Sequence, residues 1–504
     1  MSTIRRQSII SSVVIYIGFA VGLLNTYLFA REGGTNGFSS EQFGLYNAFI
    51  AIATLMMGFA NLAMPSFIYK FYPYYKEYAG GKKNDLLTIS IAIGIIGFVL
   101  VTIAGIIFKG LIIKKYGTNS PEIVTYYNWI FPLGLGLTVY SILEAYAWQL
   151  HKSVLTNFLK EVQWRLFITV LIILFITGII SSFDLFIKLF SFSFLSIALT
   201  LLLYLIFTGK INFTLKRSKV TRRFSKNIIR LCSFVYGGTL IFTISQVFDT
   251  LVIGSVVRDA LGQVAVYSVA QSVVAIIQVP QRGIISASIS HLSQAWKDKN
   301  LKLIQKVYQR SSINQLIFAC GIFSLVILNF TDAVYTFQLK GTYLQAYYVV
   351  ILLGLTKIID MGTGVNAQII GTSIYWRFEM VSGIVLLLVM LPSNYFLTKE
   401  FDITGTALAN LISISIYNTI RIVFLWRRFK LFPFTIHTLQ TILLTGACYA
   451  ICHFLFINIH GFGGIILRSG GFAILYAVGT IYLKLTPDII PVMISVKKRL
   501  GMKN

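Results

Sequence analysis

A chain of 504 residues that is 56% hydrophobic and only 12% charged, with a mean hydropathy of +0.77, cannot be a water-soluble globule. It lacks the charged surface that keeps a folded domain in solution. The net charge of +26 does not point to a nucleic-acid partner, because Lys and Arg fall in short segments between apolar runs, where membrane topology places them. Composition therefore predicts an all-α polytopic membrane protein built from spans of about 20 apolar residues.

Taken in chain order, the first run follows Arg5 and Arg6 as in a signal peptide. It is about 22 residues long and lacks an A-x-A-like cleavage site, so it reads as an uncleaved first span. Apolar runs read against basic or Gly/Pro-rich breaks predict fourteen spans, at 8–30, 44–68, 86–108, 126–149, 162–180, 184–208, 229–254, 263–285, 312–334, 345–372, 377–398, 403–426, 437–458 and 464–484. With the N-terminus inside, Lys and Arg favour the inner side roughly three to one, which predicts that both termini are cytoplasmic. The richest basic segment, TGKINFTLKRSKVTRRFSKNIIR at 208–230, reads as a topology determinant with a short amphipathic stretch on anionic headgroups.

That segment also divides the chain in two, and faint internal echoes accompany the division. Tyr46 and Tyr267 are 221 residues apart, as are Asn25 and Gln246, and the pairs Tyr75-Lys76 and Trp296-Lys297. SSFD at 181 and KEFD at 399 are offset by 218. Six spans per half implies a parallel repeat. The expected organisation is an N-terminal lobe at 1–208, a basic cytoplasmic linker at 209–228, a C-terminal lobe at 229–430, two appended spans at 431–484 and a basic cytoplasmic tail at 485–504.

Enzyme chemistry finds no foothold. There is no P-loop, G-x-S-x-G or HExxH motif, and His151, His291, His437, His453 and His460 are scattered. The absent phosphate-cradling loop excludes ATP-driven transport by this chain itself. Cys448, Cys452 and His453 share one helical region but fall short of the four ligands that zinc normally takes, so no metal site is assigned. No catalytic residue and no cofactor are expected.

What remains is polar chemistry inside spans, which is costly in lipid and marks a pathway, a site or a helix contact. In span 10, Gly354, Lys357, Asp360, Gly364, Gln368 and Gly371 recur at i+3 and i+4, so they are predicted on one helical face. Either Lys357 and Asp360 neutralise each other while the glycines admit a neighbouring helix, or Lys357 meets an anionic substrate group and Asp360 serves coupling. Asn366 lies in the same span. Gln246 and Asp249 in span 7, with Asn25 and Arg31 in and after span 1, are expected at one outer level of a cavity shared by two bundles. Interhelical hydrogen bonding is the competing reading. Glu144 lies in span 4, and Asn61, Arg282 and Arg421 occupy the inner thirds of spans 2, 8 and 12. For the two arginines, snorkelling to the interface competes with a site role. Pro65 and Pro280 mark expected breaks near the inner ends of spans 2 and 8.

The motifs EQFGLYNAF after span 1, ANLAMPSFIYKFYP closing span 2, VAVYSVAQSV and VPQRGIISASISHLSQAW in span 8, and ITGTALAN entering span 12 carry a resemblance. With fourteen spans as two lobes of six plus two, the chain resembles the polysaccharide-transport branch of the multidrug/oligosaccharidyl-lipid/polysaccharide exporter superfamily. That resemblance implies a flippase for undecaprenyl-diphosphate-linked oligosaccharide, such as an O-antigen unit, in a bacterial inner membrane, working by alternating access, with glycan-assembly proteins as further partners. In that setting Asn25, Arg31, Asn61, Gln246, Lys357, Asn366, Gln368 and Arg421 are substrate-binding candidates. Glu144, Asp249 and Asp360 are candidates for gating or for coupling to protons or sodium. A multidrug antiporter, a peptidoglycan-precursor flippase and, in a different class, a membrane glycan polymerase stand as alternatives.

Overall fold

The computed structural model describes residues 3–33, 37–78, 84–211, 213–214 and 216–488, without the side chains of 3–9, 12, 78, 282, 286, 287 and 290. The side chain expected at Arg282 and the tail beyond Asp488 therefore lie outside the described residues. The described chain is helical: α1 (Thr3–Ala30), α2 (Ser40–Ala60), α3 (Met64–Tyr78), α4 (Leu86–Ile107), α5 (Ile130–Gln149), α6 (153–176), α7 (Phe183–Phe207) and α8 (Lys219–Val256) come first. They are followed by α9 (Ala260–Ala275), α10 (Val279–Lys297), α11 (Leu301–Thr336), α12 (Ala346–Gly362), α13 (Asn366–Thr372), α14 (Arg377–Phe429), α15 (Ile436–Leu455) and α16 (Gly461–Tyr482).

Among the described residues, twelve helical stretches are long and apolar enough to cross a membrane. Two local features account for the fourteen expected. The α14 stretch is a hairpin: Phe401 and Asp402 leave helical geometry, Asp402 at φ 50°. Its two arms are tied by a 2.8 Å hydrogen bond between Thr398 and Thr406. Helix α6 is the fifth span, interrupted by a π-helical turn at Phe158–Gln163. It begins at 153, nine residues before the expected start at 162, so Lys160 and Glu161 belong to the span and not to the loop before it.

Breaks occur where the prolines predict them. Helix α2 stops at Ala60, Leu62 and Ala63 take left-handed conformations (φ 48° and 58°), and α3 restarts one residue before Pro65. A 3-10 turn at Ile276–Gln278 likewise precedes Val279 and Pro280. Span 10 holds a break that the sequence reading did not foresee. Gly364 adopts φ +68°, which ends α12 before α13 begins. Its missing side chain is required as well, since a Cβ there would lie 2.8 Å from Ser311 Oγ. The backbone groups that the break frees find partners on α11: Val365 N donates to Ser311 Oγ at 3.3 Å, and Ser312 Oγ donates to Gly362 O. Non-helical backbone at membrane depth persists only where protein or water satisfies it. The expected single polar face from Gly354 to Gly371 is thus interrupted, and Gln368 and Gly371 sit on a separate helix.

The chain divides into two compact units, 1–268 and 269–504. This seam lies inside α9. The physical reason is that α8 packs along α2 and α3, with Gly58 seated on Thr243. The expected linker is also shorter than 209–228. Ser218 caps a helix that starts at Lys219 by accepting from Thr221 N, so most of the basic segment's cations lie on the first turns of α8.

Candidate functional site: buried polar clusters in each unit

The first unit brings charged groups, most of them half-buried, together where α1, α5 and α6 meet. Gly18 and Gly22 on α1 have no side chains to hold α6 away; a Cβ on Gly18 would lie 2.5 Å from Glu161 O. Small residues allow such close approach between membrane helices. Within it, Arg165 Nη2 pairs with Glu161 Oε2 at 2.9 Å, and Nη1 donates to Gly18 O. Asn25 Nδ2 donates to Arg165 O at 2.9 Å, and Asn25 Oδ1 accepts from Thr169 Oγ1 at 2.6 Å. One turn below, Lys160 reaches Glu144 at 3.7 Å, looser than a hydrogen bond. The π turn carries both Lys160 and Glu161. Such turns recur at functional sites because the extra residue re-aims the side chains that follow.

Three other first-unit candidates lie elsewhere. Asn61 ends α2 at the left-handed break and donates to Ser141 Oγ at 3.3 Å. Its buried Oδ1 has no hydrogen-bond partner among the described residues. Asp249, buried on α8, accepts from Tyr267 OH at 2.7 Å. Gln246, one turn earlier, is exposed. Arg31, just after α1, is half-buried and makes no side-chain hydrogen bond or ion pair among the described residues.

In the second unit, Asp360 is held by two amides: Gln281 Nε2 from α10 at 3.3 Å and Asn418 Nδ2 from α14 at 3.2 Å. Asn418 Oδ1 accepts from Asn366 Nδ2 at 2.8 Å and from Thr363 Oγ1 at 3.0 Å. Asn366 Oδ1 lies 3.5 Å from Arg421 Nη1. Arg421 does not snorkel to the interface. Its side chain is 5% exposed, ion-paired with Glu379 across the α14 hairpin and bonded to Tyr417 OH, with its guanidinium 3.7 Å from the Tyr417 ring centroid. A buried cation left unpaired is expensive, and the carboxylate explains its depth. Lys357 is half-buried one turn before Asp360, and Gln368 is half-buried on α13. Gly354 serves packing, because a Cβ there would lie 2.4 Å from the Phe323 ring.

The eleven candidates thus divide by unit: Asn25, Arg31, Asn61, Glu144, Gln246 and Asp249 in the first, and Lys357, Asp360, Asn366, Gln368 and Arg421 in the second. Asn25 joins Glu161 and Arg165, which sequence reasoning missed, and Asp360, Asn366 and Arg421 join Gln281, Glu379 and Asn418, also missed. The i, i+4 pair Glu161-Arg165 was a visible signal, hidden by the late start assigned to span 5. Glu379 sits two residues after a predicted span start and gave no signal. Cys448 and Cys452 pack with Leu328, Phe472 and Tyr476 in an apolar cluster.

No protein-family model matches the sequence, and no curated protein matches it significantly. Solved structures do match in fold. The lipid II flippase MurJ, in an inward-closed conformation, aligns with a TM-score of 0.75 at 16% identity, covering 96% of this chain and 100% of that one. An inward-facing multidrug resistance MATE family transporter of the MOP superfamily aligns at 0.59 and 14% identity, covering 83% of this chain and 94% of that one. A mutant of the Vibrio cholerae MATE transporter VcmN aligns at 0.52 and 14%, covering 84% and 96%. The chain therefore shares the all-helical fold of these transporter structures.

Proposed function

We propose that the chain is a flippase that carries undecaprenyl-diphosphate-linked oligosaccharide, such as an O-antigen unit, across a bacterial inner membrane with both termini cytoplasmic. The observation that carries this reading is the pair of arginines within spans, Arg165 and Arg421, each held by one carboxylate and surrounded by neutral hydrogen-bonding groups. A diphosphate cannot enter hydrocarbon unaided, and a guanidinium binds phosphate oxygens in the same forked geometry that it offers a carboxylate. Cargo that displaces Glu161 or Glu379 from its arginine leaves that carboxylate without its cation, ready to take up a proton or sodium. Such an exchange would couple transport to an ion gradient under alternating access. Lys357 and Arg31 supply further cations, and Asn25, Asn61, Asn366 and Gln368 supply groups for sugar hydroxyls. Glu144, Asp249 and Asp360 serve gating.

A peptidoglycan precursor is the second cargo reading, because its diphosphate lipid presents the same chemistry and the fold is shared with MurJ over 96% of the chain. Reconstituted vesicles holding labelled undecaprenyl-diphosphate oligosaccharide test both. Wild type should move the label to the opposite leaflet, and Lys357→Ala should abolish that movement while inserting normally. No movement of either cargo by wild type, with or without a proton or sodium gradient, would sink the flippase reading. In a deletion strain, single glycan units on the cell surface would point to a polymerase instead.

A further inference from the structure

Three helix ends and one connecting segment of the second unit line an open hollow of about 550 Å³ that no transport role explains. It lies between the start of α11, the end of α14, the start of α15 and the segment after α16. Its cations come from two places. Lys302, Lys306 and Arg310 recur at i+4 along one face of α11, and Lys430 joins them at the end of α14. Like charges at that spacing oppose one another, and cations in the first turns of a helix also oppose its dipole. Arg310 is neutralised by Asp488, whose Oδ2 also accepts from Asn314 at 2.6 Å. Lys302, Lys306 and Lys430 are exposed and form no ion pair among the described residues, so three lysines line one hollow with no counter-ion among those residues.

The arrangement is held in place. Gln305 grips the loop after Lys430 in both directions, donating to Phe432 O at 2.7 Å and accepting from Phe432 N at 3.0 Å. Lys430 is fixed in the left-handed region at φ 59°, a conformation that an L residue keeps only where the surroundings over-determine it. Leu301, which is exposed, and Phe429, which is half-buried, form an apolar part of the lining. We infer that this cavity binds a phosphate-bearing anion, and its apolar lining assigns that anion to the headgroup of an anionic phospholipid. The lysines would hold the phosphate while an acyl chain covers the apolar residues. This site shares no residue with the polar clusters proposed for cargo, and its occupancy is measurable without transport.

The test uses the purified full-length chain and counts bound lipid by native mass spectrometry. Cardiolipin and phosphatidylglycerol are titrated against phosphatidylcholine. Each lysine facing an anionic headgroup contributes roughly fivefold in affinity. The triple variant Lys302→Gln, Lys306→Gln, Lys430→Gln should therefore bind cardiolipin on the order of a hundredfold more weakly, with an unchanged melting temperature in detergent alone. The charge-matched control Lys216→Gln, Arg217→Gln, Lys226→Gln should lose no more than about threefold. Equal losses in the two triples would overturn the site, since diffuse charge would then account for the binding. Competition by inorganic phosphate at the lipid's own potency would overturn the phospholipid assignment.

Discussion

Replacing Glu379 by Gln tests whether the Arg421 pair sustains the second unit. The guanidinium of Arg421 is 5% exposed and touches only neutral groups once the carboxylate is gone: Tyr417, which it bonds and overlies, and Asn366 Oδ1 at 3.5 Å. Its Nε already lacks a partner. Removing one member of a buried pair costs about 3–5 kcal/mol because the other charge stays buried. Glu379 is 34% exposed, so water reaches the vacated position and the lower end, about 3 kcal/mol, applies. At about 2–4 °C per kcal/mol for a unit of this size, the melting temperature should fall by about 6–12 °C. Glu379→Leu combined with Arg421→Met removes both charges and should recover most of that loss, since well-packed apolar replacements of buried pairs are often neutral. Fluorescence-detected thermal unfolding in detergent reads all three proteins. A single variant that melts within about 1 °C of wild type would refute the reasoning. Recovered stability without recovered flipping would separate the proposed transport role of Arg421 from its structural one.

Gly364→Ala should destabilise the second unit by about 2 kcal/mol or more, combining the left-handed penalty of about 1–2 kcal/mol with the 2.8 Å approach to Ser311 Oγ. Gly371→Ala, which meets nothing within 4 Å, should leave the same thermal scan unchanged. Gly18→Ala should push α1 off α6 and break the Arg165–Gly18 contact, lowering both melting temperature and flipping. Gly237→Ala, on an open face of α8, should be neutral or stabilising by up to about 1 kcal/mol. Asp332→Asn strands Arg468, which is only 8% exposed. It should loosen α16 from α11, seen as faster proteolysis in the loop at 456–460.

Some of this architecture was written along the chain. Hydropathy runs define the spans because lipid selects apolar segments long enough to cross it, and Pro65 and Pro280 announced the breaks beside them. Asn25, Asp360, Asn366 and Arg421 were legible as unusual because a polar group at membrane depth is unusual wherever it points. What these groups do was decided only by tertiary packing. Asp360 is gripped by amides from two other helices, and Arg421 is buried against a carboxylate 42 residues away. Arg165 enters the first-unit cluster because Gly18 lets α1 close on a π turn. Hydropathy records burial along one dimension, whereas an embedded polar side chain is satisfied by whichever helix lies beside it. That neighbour is set by the fold.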